Sequence, residues 1–141
     1  MYELKVIRER RTDYGARRKI QTSREVFETF RVHFASKDRE EFLVVPLDGK
    51  NQVLGFHVVS VGSLTTALVH PREVFKVALL ANAAAIIAVH GHPSGDPEPS
   101  AEDRAITGRL KEAGELLGIQ LLDHVVIGDG RFVSFSDEGL L

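Results

Sequence analysis

The apolar run Ala85-Ile86-Ile87-Ala88-Val89 passes without a break into His90-Gly91-His92, then into a loop rich in Pro and Gly, then into Ser100. Such a run, closed by turn residues, reads as a buried strand. Ser100 suits a helix N-cap, because its side chain can accept from a first-turn amide that the helix leaves without a partner. Beyond it, Ile106, Leu110, Ala113 and Leu117 fall at helical spacing, and Gly118 provides the stop. Residues 119–127 read as another strand. A strand, a long helix and a second strand in this order require a sheet with a helix packed on it.

The rest of the chain fits that frame. Ser23 suits an N-cap, and Val26, Phe27, Phe30 and Phe34 follow at helical spacing, so 24–35 reads as an amphipathic helix. Residues 42–47 and 53–61 read as strands around the turn Asp48-Gly49-Lys50-Asn51, a hairpin. Pro71, after His70, opens a helix at a position where its missing N–H costs nothing. Residues 131–135 read as a last strand after Gly128-Asp129-Gly130. A chain of 141 residues holds one good core and would be cramped with two. The expected fold class is α/β, a single domain with a mixed sheet flanked by helices.

Side chains two apart share a face on a strand and diverge on a helix. His90 and His92 therefore meet one ion only on extended chain, which the preceding strand supplies. Pro93 disfavours the helical region at His92 and helps to hold it. Asp103 lies three residues before Ile106 and seven before Leu110, on the inward stripe of its helix. A carboxylate aimed inward needs a partner, and a metal on the two imidazoles would be one. Two imidazoles and one carboxylate suit zinc with one position open, which makes a hydrolytic centre. Plainer readings stand beside this one. Ser-x-x-acid is close to a capping box, and the histidines could be two ordinary ones. Their placement together, between a strand and a helix, favours the metal.

His-x-His, seven residues, Ser, two residues, Asp resembles the JAMM (MPN-plus) metalloprotease motif at every ligand position. The wider text resembles the RadC family in particular. It comprises 69–75, Asn82-Ala83-Ala84-Ala85, the loop from His92 to Ser100 and Asp123-His124, and the resemblance extends over residues 22–141. It implies a single MPN (JAB/JAMM)-like domain over 21–141 with cytidine-deaminase-like layering. It implies Zn2+ held by His90, His92 and Asp103, with water in the fourth place. An upstream Glu would be the general base, and Ser100 a donor to the oxyanion or the water. The reaction would be hydrolysis of a peptide or isopeptide amide in an unknown protein or peptide substrate. The family spacing sets the Glu two residues before an aromatic, which matches Glu40 before Phe42. Glu41 belongs to the other strand face and remains the alternative. Gly91 sits where RadC relatives often carry Asn and other JAMM proteins Ser; no ligand is lost. RadC proteins usually carry an N-terminal helix-hairpin segment, for which this length leaves no room.

Charge adds a second reading. Residues 1–20 carry seven Lys/Arg and three Asp/Glu; the other 121 carry eleven and seventeen. A basic N-terminal arm on an acidic body can touch nucleic acid. With the DNA-repair association of the RadC family, this gives the alternative function, a nucleic-acid-associated factor with a structural or non-catalytic metal. The chain has no Cys, which excludes disulfides and thiolate metal sites. The N-terminus lacks a signal-peptide core, and the apolar stretch 78–89 is too short to span a bilayer. The expected location is the cytoplasm, away from membranes. His57 reads as structural and His70 as a cap or a packing residue. Asp123-His124 reads either as support for a ligand or as ordinary strand polar residues.

Overall fold

Alternation along β1 (Glu41–Leu47) and β3 (Ala85–Gly91) sends apolar side chains to both faces, and every residue of both strands is buried. Strands covered on two sides need helices on two sides. In the computed structural model, which describes residues 1–3, 5, 18–62 and 69–141, Phe42, Val44, Ile86 and Ala88 pack against α2 (Pro71–Leu80) and α3 (Ala101–Leu117). Leu43, Val45, Ile87 and Val89 pack on the other side with Val26, Phe27 and Phe30 of α1 (Ser23–Phe34). The sheet runs β2 (His57–Val61), β1, β3, β4 (Gln120–Ile127), β5 (Phe132–Ser134). β3 and β4 are parallel, joined through α3; the other neighbours are antiparallel. The result is a single three-layer α/β domain with a mixed sheet, as the sequence leads one to expect.

Several local expectations change. The N-cap of α1 is Thr22, not Ser23. Thr22 Oγ1 accepts from the Glu25 amide, and the Glu25 carboxylate accepts from the Thr22 amide. That reciprocal pair needs three-residue spacing, which Ser23 lacks. Ser23 bonds instead to the Asp137 carboxylate. The second strand of the hairpin is shorter than 53–61. It touches β1 at Leu47–Val53, leaves the ladder around Gly55, and resumes at His57. The cap on α3 is Ser100, and Gly118 ends that helix in the left-handed conformation, φ 71°.

β4 carries an extra residue. Ile86 faces Leu121, but Ile87 faces Asp123, so Leu122 is a bulge. A one-residue slip moves every later side chain to the opposite face. His124 consequently lies beside Ala88, on the α2–α3 side.

Most of the basic arm lies outside the described residues. Its last three residues join the body: the Val53 amide donates to Arg18 O, the Ile20 amide donates to Asn51 O, and Ile20 is buried. No helix among the described residues is long and apolar enough to cross a membrane.

Candidate metal centre

The site forms where β3 ends. His90 follows Ala88 on the α3-facing side and is 1% exposed. His92 lies just past the strand, and its amide continues the pairing with β4 by donating to Ile127 O at 2.9 Å. Its Nδ1 donates to the Asp96 carbonyl at 2.8 Å, which leaves Nε2 to point inward. The loop making that turn is tied down at Gly95, whose amide donates to His92 O and whose carbonyl accepts from the Asp129 amide.

Asp103 comes from the first turn of α3. Ser100 Oγ accepts from the Asp103 amide at 3.1 Å, and Asp103 Oδ2 accepts from the Ser100 amide at 2.8 Å. The capping box is therefore present. It also folds the carboxylate back over the helix start, where it meets both imidazoles. Asp103 Oδ1 is 3.1 Å from His90 Nδ1, and Oδ2 is 3.2 Å from His92 Nε2. Cap and cluster share the same atoms.

Glu40 stands at the entry to β1, with Oε2 3.9 Å from His90 Nε2. Glu40, His90 and His92 each place a ligand atom within 4.8 Å of the others. Glu41 is elsewhere. Its carboxylate lies 2.6 Å from His33 Nε2 on the α1 side, with Lys37 Nζ 3.8 Å away. His57 is exposed on β2. His70 caps α2, its Nδ1 accepting from the Arg72 amide. Asp123 fastens the C-terminal turn by accepting from Ser134 Oγ and the Ser136 amide.

The electrostatics follow from this geometry. Burial opposes ionisation of Asp103, but the two imidazoles and the Ser100 amide outweigh it and hold the carboxyl well below the usual carboxylate range. The bond to Asp103 raises His92 against burial, with help from the Asp96 carbonyl. At His90 the demand is unmet. Neither ring nitrogen has a hydrogen-bond partner among the described residues, although Nδ1 lies 3.1 Å from Asp103 Oδ1 and Nε2 3.9 Å from Glu40 Oε2. Buried polar atoms are seldom left this way. Among the described residues the group that could hold a metal ion is Glu40, His90 and His92, and a divalent cation suits two imidazoles beside carboxylates.

The sequence features described as the RadC-like JAB domain match residues 20–140. The chain belongs to the RadC family. The matched domain is JAB-like, which points to a fold like that of JAMM-type metal-dependent hydrolases. This RadC domain is similar to UPF0758 proteins of Methanosarcina mazei (50% identity over 125 residues, 89% of this chain and 55% of the relative) and Geotalea uraniireducens (53% over 133 residues, 91% and 58%). A UPF0758 protein of Moorella thermoacetica is 61% identical over 104 residues, 74% of this chain and 45% of the relative. The RadC chain thus spans about half the length of the curated relatives it matches.

Two features of the site escape sequence reading. Thr107 sits one turn after Asp103 and is buried beside His124; helical spacing could have found the first relation but not the second. Gly91 is constrained by packing rather than by ligation. A Cβ there would overlap the ring of Phe34, the last residue of α1. Gly91→Asn is expected to destabilise this RadC domain by about 1–3 kcal/mol through overpacking. Adding Phe34→Ala should recover part of the loss. Urea unfolding of the three variants measures both effects, and a Gly91→Asn variant as stable as wild type would contradict the packing argument.

Proposed function

We propose that this RadC domain is a zinc-dependent hydrolase of amide bonds in a peptide or an isopeptide. The observation that carries the reading is His90, a fully buried imidazole that makes no hydrogen bond among the described residues and is set between two carboxylates and a second imidazole. His90, His92 and Asp103 would hold the ion. Bound zinc would supply Lewis acidity towards water and towards a carbonyl oxygen.

The chain's own residues divide the remaining work by exposure. Asp103 is 1% exposed and cannot meet a substrate, which suits a ligand. The Glu40 side chain is 36% exposed and can. Its Oε2 would take a proton from the attacking water and pass it to the leaving nitrogen as the carbon–nitrogen bond breaks. Ser100 Oγ accepts from the Asp103 amide, and its own proton can be donated to the carbonyl oxygen as charge develops there.

Elemental analysis tests the reading. Wild type is expected to keep about one zinc per chain through dialysis, and Asp103→Asn to keep none. Zinc-loaded wild type should cleave members of a peptide and isopeptide library that Asp103→Asn leaves intact. A wild type that cannot be loaded with zinc overturns the proposal.

A further inference from the structure

His124 is fully buried in an apolar pocket. Its ring stacks on Phe135 at 4.7 Å, meets Phe42 edge-on at 5.4 Å and lies 6.1 Å from the His90 ring. Nδ1 is 2.7 Å from Thr107 Oγ1, and Nε2 has no hydrogen-bond partner among the described residues. Thr107 Oγ1 is also 2.6 Å from the Asp103 carbonyl. One hydroxyl has one proton. Donating it to Asp103 O, Thr107 accepts from His124 Nδ1–H. A Phe or Leu would fill this pocket without leaving a nitrogen unpaired, so shape alone gives no reason for an imidazole. The bulge at Leu122 is what turns residue 124 to this side.

The His124 ring therefore touches both arms of the donor set. Through Thr107 it holds the backbone of Asp103 on α3. Through ring packing it backs His90 on β3. We infer that His124 and Thr107 are positioning residues, which set the separation between the Asp103 carboxylate and the two imidazoles and so fit the site to a small tetrahedral cation. The inference rests on the metal reading above, and goes beyond it in naming what aligns the ligands.

Thr107→Val keeps the shape and removes both hydrogen bonds. It is expected to weaken zinc binding by about 10–100-fold, measured by competition with a chromogenic chelator. Cobalt loaded in place of zinc should lose the intense visible bands of tetrahedral coordination. Thr107→Ser, which restores the hydroxyl, should return both. His124→Phe keeps the ring packing, removes Nδ1 and should move both readouts in the same direction as Thr107→Val; it decides the matter if Thr107→Val does not fold. Zinc affinity within twofold of wild type, with an unchanged cobalt spectrum, overturns the inference even if thermal stability falls. A wild type that binds neither metal overturns the metal reading and this inference with it.

Discussion

Glu40→Gln is expected to keep its zinc and to lose hydrolysis by about 10²–10⁴-fold, the usual contribution of a positioned general base. Glu41→Gln is expected to do nearly the opposite. Glu41 shares a 2.6 Å contact with His33 and is nearly buried. Cutting that pair should cost about 1–3 kcal/mol of stability and leave turnover close to wild type. Glu41 opens β1 and turns to the α1 side, while Glu40, one residue before the strand, turns towards His90, so the two carboxylates meet different surroundings. Zinc content, urea unfolding and cleavage of the same peptide library, measured for both variants, separate the two roles. Loss of cleavage in Glu41→Gln alone would move the base to that residue, and unchanged cleavage in both would remove the glutamate from the mechanism.

That Glu40 and Glu41 turn to different sides is readable in the sequence, because alternation about Phe42 is a local property. The convergence of His90, His92 and Asp103 is readable too, from a strand period and a helix period that meet across one loop. What escapes depends on contacts distant in sequence, or on irregular register. Asp123 and His124 are neighbours on opposite faces. No period-two pattern shows which of them faces His90, since the bulge at Leu122 decides it. Gly91 looks inconsequential in the sequence, because the ring that crowds it belongs to a helix 57 residues upstream. The cap of α1 is a nearer miss. Thr22 and Ser23 are both good caps, and only the reach of Glu25 back to the Thr22 amide separates them.

Acid should unfold the metal-free protein through His124. Burial pushes this imidazole from its ordinary 6.5 down to about 3. The neighbouring His90 and His92 push the same way, and the Asp103 carboxylate partly offsets them. Between those two values the unfolded chain binds a proton at this position that the native protein does not, so stability falls as pH falls. The contribution is complete above about 6.5 and exhausted near 3, and across that window it amounts to at most about 5 kcal/mol. Asp103 acts lower down. Its carboxyl is held below the ordinary 3.8, so its contribution is present above that value and is lost on further acidification. His92 has the opposite sign. Its proton is held more tightly in the native protein, so its contribution is present below 6.5 and is lost as pH rises through the raised value. The metal-free protein should therefore be most stable near pH 6.5, with losses on both sides. Urea unfolding across the pH range in the presence of a chelator gives the profile. His124→Phe should flatten the side between about 4 and 6.5 and leave the alkaline side as it was. Parallel profiles for wild type and His124→Phe would show that the imidazole takes up its proton in the folded protein, and that the pocket around it is more open to water than its packing indicates.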